Sequence, residues 1–297
     1  MRLMRHRGVH TQEILVAVRH DPSYLTTGTF EDVYKGLDYL RKVETGRIKD
    51  ENTVLMFSLD SAQLYASKTS DCWFFIWVLL DLPPGSRYKK RFVLPGGVIG
   101  GPNKPKNVDL FLFPALHHLA ALQREGLRIW DASMVWEVLT RPYLLLATAD
   151  GPGMAYLSGM VSHQGARGSR IYCGFLSQLK PVANTYYPAA SRPKDPAYNS
   201  SGSLHADVSP RAYAQVMSSS VHPNYLRNIC TVMESQSGAA YQQNRLETGI
   251  AKPSIFAGLP RVLPLPACFG VDLMHLITLN LTDLVISLLR GTMGDFP

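Results

Sequence analysis

Cysteine is scarce and scattered: Cys72, Cys173, Cys230 and Cys268 lie far apart, with no Cys-x-x-Cys pair. That spacing excludes a zinc ribbon and a dense disulfide framework, and makes a reducing compartment the default. Charge is sparse as well, at 18% against 46% hydrophobic residues, which places the chain among globular proteins and not among disordered tails. No uninterrupted apolar run approaches the roughly 20 residues that a bilayer-spanning helix takes. Residues 72–80 are too few, and the apolar stretch 267–289 is broken by Asp272, His275 and Asp283, charges that are expensive at bilayer depth. The basic start, Met1-Arg-Leu-Met-Arg-His-Arg-Gly8, has no apolar segment behind it, so neither secretion nor membrane insertion is expected. Internal repeats and low-complexity tracts are missing too.

What the chain does have is two apolar segments that each run straight into an aspartate: Thr53-Val-Leu-Met-Phe-Ser-Leu-Asp60 and Tyr143-Leu-Leu-Leu-Ala-Thr-Ala-Asp150. Continuous apolar runs of this length suit strands covered on both faces. In an open α/β sheet, ligands collect at the carboxyl ends of strands, so the two aspartates are candidates to share a divalent cation. An aspartate in that position is also a common helix cap or turn residue.

Around these runs the spacing predicts an N-terminal helical appendage (1–50), in which Thr29-Phe-Glu-Asp32 opens a helix with Phe30, Val33, Tyr34, Leu37 and Leu40 on one face and a stop at Gly46. Three strands in a meander follow, over 53–59, 72–80 and 87–94, then a Gly/Pro-rich loop, a helix over about 109–125 and the strand ending at Asp150. Residues 51–158 thus read as the first half of a core, 159–266 as an irregular insertion, and 267–297 as an apolar core helix cut short. Trp73, Phe74, Phe75 and Trp77 read as core, and His117 and His118 as a surface pair.

The strings Phe57-Ser-Leu-Asp60-Ser-Ala-Gln-Leu-Tyr65, Gly101-Pro-Asn-Lys-Pro-Lys-Asn107, Ala121-Leu-Gln-Arg-Glu-Gly-Leu-Arg-Ile-Trp-Asp-Ala132, Thr148-Ala-Asp-Gly-Pro-Gly-Met154, Lys252-Pro-Ser-Ile-Phe256 and Cys268-Phe-Gly-Val-Asp-Leu-Met-His275 resemble the fungal branch of the CACTA-type (En/Spm-like) DNA transposases, in that family's order and over nearly the whole chain. The resemblance implies a mixed α/β, ribonuclease-H-like DDE core, incomplete at its C-terminal end, and a nuclear enzyme that cleaves and joins DNA with Mg²⁺ or Mn²⁺. Its partners would be element terminal repeats and target DNA, with homo-oligomers possible and no membrane. By motif, Asp60 and Asp150 match the first and second catalytic, metal-binding acids, and Asp272 with His275 matches a supporting Asp-x-x-His signature. The third acid, a glutamate, is expected beyond Pro297, so the chain resembles a fragment that is inactive alone. Two departures stand out. Ser162-His163-Gln164-Gly165 replaces a Gly-His-His-Gly string, and Ser169 stands where a cysteine is typical ahead of Cys173, which leaves open whether Cys173 and His163 bind a metal.

Carboxylates suit this chemistry because Mg²⁺ is a hard ion with oxygen ligands, and paired ions activate the attacking oxygen while neutralising the leaving one. The basic balance, 30 Lys plus Arg against 23 Asp plus Glu for a net +7, moderately favours a polyanionic partner. Two clusters could track DNA phosphates, Arg87, Lys89, Lys90 and Arg91 in the third strand and Lys104 with Lys106 in the loop after it, although solvated edge charge explains the first equally well. A non-catalytic DNA-binding or oligomerising module is the alternative reading. A phosphohydrolase of small substrates on the same metal site is a weaker one.

Overall fold

The computed structural model describes residues 2–27, 29, 31–63, 71–101, 105–132, 135–162, 164–179, 186–187, 211, 224–270 and 281–292. Lys104, His163, Asp272 and His275 lie outside the described residues, and so does most of the expected final helix, of which Thr282–Leu289 is described as helix.

The fold is mixed α/β around a four-stranded mixed sheet. Strand β1 (Val54–Gln63) pairs antiparallel with β2 (Asp71–Leu79), which pairs antiparallel with β3 (Leu94–Ile99). Helix α3 (Val108–Glu125) and a separate hairpin, β4 (Leu127–Asp131) with β5 (Trp136–Thr140), then return the chain to β6 (Tyr143–Ala149) on the other side of β1. A parallel neighbour requires such a crossover. The order is therefore β3-β2-β1-β6, with β6 parallel to β1. Beside β6 lies an irregular stretch that joins the end of the expected insertion to the start of the expected final helix: Leu144 and Ala147 bridge in parallel to Val262 and Phe269, and Gly270 N–H donates to Ala147 O at 2.9 Å. After β6 come α4 (Gly151–Ser158), a two-residue pair β7 (Gln178–Leu179) with β8 (Tyr186–Tyr187), then α5 (Tyr225–Met233), α6 (Gly238–Thr248) and α7 (Thr282–Leu289).

The third strand sits later than expected. Residues 84–87 form a helical turn opened by Pro83 and Pro84, and the strand runs instead over the Gly-rich Leu94–Ile99. Glycine is what permits it: a Cβ on Gly96 would stand 2.3 Å from the Phe75 ring carbons of the neighbouring strand. Arg87, expected to face DNA, points inward, where its guanidinium grips both oxygens of Asp32 at 2.7 and 2.8 Å and the carbonyl of Leu82. Asp32 is thus occupied as an ion-pair partner and as the cap of a short 3-10 turn (Val33–Lys35), so the expected continuous helix breaks and resumes as α2 (Leu37–Glu44).

The N-terminal helices belong to the same core. Helix α1 (Arg2–His20) sends Ile14 and Leu15 into the cluster that holds Phe57, Leu59, Trp73 and Phe75, and Tyr34, Tyr39 and Leu40 join it. Arg7, almost fully buried, meets Asp81 at 2.6 Å and donates to the carbonyls of Lys49, Asp50 and Asn52. The second oxygen of Asp81 accepts the N–H of Val54 at 2.8 Å, so one carboxylate ties α1 to the first residue of β1. Burial pushes the Asp81 carboxyl up, against the pull of Arg7 and the Val54 amide. Of the four cysteines, Cys72 and Cys268 are core residues, and burial raises the Cys268 thiol well above its ordinary value. No helix among the described residues is long and apolar enough to cross a membrane.

Candidate metal and nucleic-acid site

Register brings the two aspartates to one rim. Leu59 of β1 is paired with Ala149 of β6, and the next residue of each strand is Asp60 and Asp150. Parallel neighbours lie about 4.8 Å apart, a separation at which two carboxylates can reach one ion. Both residues are partly buried, with Phe57 and Leu59 or Ala147 and Ala149 turned into the core between them.

The two strand ends differ from the simple picture of aspartates closing strands. Strand β1 continues to Gln63, and Asp60 lies within it, opposite Phe74 of β2. Only its β6 side stops there. Asp150 does end β6, and it is also the N-cap of α4: its Oδ1 accepts the N–H of Gly153 at 2.7 Å. The helix-cap alternative therefore holds for Asp150, which stands at the end of β6 beside Asp60. Asp60 Oδ1 accepts the N–H of Ser61 at 2.8 Å. Among the described residues, neither Oδ2 has a hydrogen-bond partner, so each carboxylate keeps one oxygen for a ligand.

Gly153 has a local duty beside Asp150. A Cβ there would stand 2.7 Å from Asp150 Oδ1 and 2.9 Å from the Ala149 Cβ, so the glycine makes space for the carboxylate that caps the helix. Alanine favours a helix interior by about 1 kcal/mol over glycine. Gly153→Ala nevertheless is expected to lower stability by about 1–3 kcal/mol, because crowding displaces Asp150. Chemical denaturation measures this, and a stabilised variant would rule the crowding account out.

The surrounding strings converge on the same strands. Phe57 packs on Phe256 at 5.4 Å between ring centroids, and Phe256 on Phe269 at 6.2 Å. Ser254 donates to the carbonyl of Leu157 in α4, and Lys252 forms an ion pair with Asp109 at the start of α3.

The basic clusters do not converge. Ile99, Trp73 and Ser61 are aligned by register, so the chain leaves β3 at the rim that carries Asp60, and exposed Lys106 follows on that side before α3. Lys89, Lys90 and Arg91 are exposed too, but they precede β3 at the opposite end of the sheet, in line with Trp77 and Phe57. Arg87 is interior, as described above.

As a metal site, the donors are of the right kind for Mg²⁺ or Mn²⁺, being carboxylate oxygens. Among the described residues, no group of three or more His, Cys, Asp or Glu side chains is gathered to hold an ion. Two carboxylates alone would be only part of the oxygen shell that such a cation takes.

No curated protein matches the chain in sequence. Residues 52–185, which begin at the entry to β1 and contain both aspartates, match the family described as "Transposase family tnp2", and over that span the chain is similar to a transposase family.

Proposed function

We propose that this chain carries the first two acids of a DDE-type, ribonuclease-H-like transposase core, with Asp60 and Asp150 sharing a Mg²⁺ or Mn²⁺ ion at the rim between β1 and β6. The single observation behind this reading is the Leu59–Ala149 pairing, after which the next residue of each strand is an aspartate. A three-stranded meander followed by a helix and a fourth strand parallel to the first supports the fold assignment. The family match over residues 52–185 supports DNA as the substrate.

The Oδ2 atoms of Asp60 and Asp150 would be the ion's protein ligands. Bound there, the metal would activate the attacking oxygen and neutralise the leaving one. The protein's own share is to fix both carboxylates through the Ser61 and Gly153 N–H groups and to exclude water from below with Phe57, Leu59, Ala147 and Ala149. The family's supporting roles would fall to Asp272 and His275, which lie outside the described residues. Two acids hold the second ion of such a centre poorly, so the 297-residue chain is expected to bind Mn²⁺ weakly and not to nick supercoiled DNA.

Asparagine substitutions separate the metal role from the structural one, since asparagine caps helices as well as aspartate does. Asp150→Asn and Asp60→Asn are expected to leave stability within about 0.5 kcal/mol while each weakens Mn²⁺ binding at least about tenfold, measured by electron paramagnetic resonance of the free ion. Asp150→Ala should in addition cost about 1 kcal/mol for the lost cap. Unchanged Mn²⁺ binding in both asparagine variants would refute the shared site. Salt-dependent DNA binding that ignores both substitutions and the metal would favour the second reading, a non-catalytic DNA-binding module, which the exposed cluster Lys89, Lys90 and Arg91, at the end of the sheet away from Asp60, favours.

A further inference from the structure

Helix α1 carries apolar side chains on two faces, and the core uses only one. Arg7, Thr11, Ile14 and Leu15 face inward. On the outward side, Val9, Glu13 and Val16 recur at the i, i+4, i+7 spacing of one helix face, and the two valines are 59% and 49% exposed. Solvated helix faces ordinarily take charged residues at such positions. Across from this stripe stands the β4–β5 hairpin, which is not hydrogen-bonded to the main sheet and presents Trp136, 56% exposed, and Val138. Between the two elements lies an open cleft of about 940 Å³.

The chemistry of the cleft is specific. Its floor and walls are apolar, while its charged lining residues are Glu13, Asp50 and Glu51, with no Lys, Arg or His among the described lining residues. That is an acidic rim on a chain of net charge +7. Among the described residues, none of the three carboxylates is in direct ion-pair contact with a lysine or arginine; Glu51 feels Arg261 at longer range, and Glu13 meets His10.

We infer that the cleft between α1 and the β4–β5 hairpin docks a basic amphipathic helix of a partner protein, whose apolar face meets Val9, Val16 and Trp136 and whose lysines or arginines meet Glu13, Asp50 and Glu51. Charge complementarity selects this occupant: nucleic acid is repelled by the rim, and an acidic helix likewise. Helix-in-groove recognition needs an apolar floor for the i, i+3, i+4, i+7 anchors and a flank of opposite sign, and both are present.

The test uses the 297-residue chain and a fluorescein-labelled peptide of leucine and lysine, about 18 residues long, with its leucines on one helical face. A scrambled peptide of equal composition and a leucine–glutamate counterpart serve as comparisons. Fluorescence anisotropy is expected to show saturable, salt-weakened binding of the leucine–lysine helix, at least about tenfold tighter than either comparison. Val9→Asp with Val16→Asp should abolish it, and Glu13→Lys with Glu51→Lys should reverse the preference toward the glutamate peptide. All four positions are on the surface, and circular dichroism checks that the variants keep their fold. Equal binding of the scrambled peptide, or a preference untouched by the charge reversal, would overturn the inference. So would sedimentation showing a dimer of the chain that the valine substitutions dissolve, because the occupant would then be a second copy.

Discussion

Arg7→Met is expected to destabilise the protein by about 3–5 kcal/mol, since removing one partner of a buried ion pair leaves the other charge uncompensated. The carboxylate at risk is Asp81, whose side chain is 4% exposed and whose other oxygen is committed to the Val54 amide. Methionine fills much of the arginine stem's volume, so the loss reports the charge and the donors, not a hole. Three carbonyls, of Lys49, Asp50 and Asn52, lose a donor at the same time. The double variant Arg7→Met with Asp81→Leu should recover a large part of the loss, because replacing a buried pair by apolar groups of similar size is often near neutral. Urea denaturation of the single and double variants measures the coupling. A single-variant cost below about 1 kcal/mol would show that Arg7 does not hold α1 to the sheet.

Phe57→Ala should cost a similar amount, about 3–5 kcal/mol, for a different reason. The ring has no exposed surface and sits among Phe75, Trp77 and Phe256 at 5.6, 5.0 and 5.4 Å between centroids. Deleting it leaves a cavity where β1, β2 and the 252–256 segment meet. Phe57 also stands three residues before Asp60 on the same strand. Weaker Mn²⁺ binding in Phe57→Ala than in Phe57→Leu, which keeps most of the volume, would tie the core to the rim. A cost under about 1 kcal/mol, by denaturation, would mean that the site's strand does not depend on this packing.

These sites show what the residues revealed on their own. The runs ending at Asp60 and Asp150 were legible because strands covered on both faces are apolar throughout, and no other local structure explains so short a run so well. Helix α3 was legible from its 3.6-residue period and from Gly126. Strand β3 was hidden by Gly96 and Gly97, which argue against a strand by propensity but are required by the Phe75 ring. The hairpin β4–β5 carries alternating Leu127 and Ile129, then Trp136 and Val138, a signal present in the sequence but only five residues long on each side. Arg87 looked like surface charge because its partner, Asp32, is 55 residues upstream and no local pattern announces such a pair. The stretch beside β6 was obscured by Pro260, Pro264 and Pro266: proline donates no amide hydrogen, so the contact is made by isolated bridges and not by a continuous ladder.

The cap of α4 has one more effect, on cost rather than position. An aspartate on an open loop samples several rotamers and must give them up when it takes a ligand. With Gly153 already holding one of its oxygens, the Asp150 side chain has surrendered that torsional freedom during folding. Whatever cation or donor reaches the remaining oxygen meets a preorganised group, and the entropy of fixing it is charged to the folding of the helix and not to the binding event.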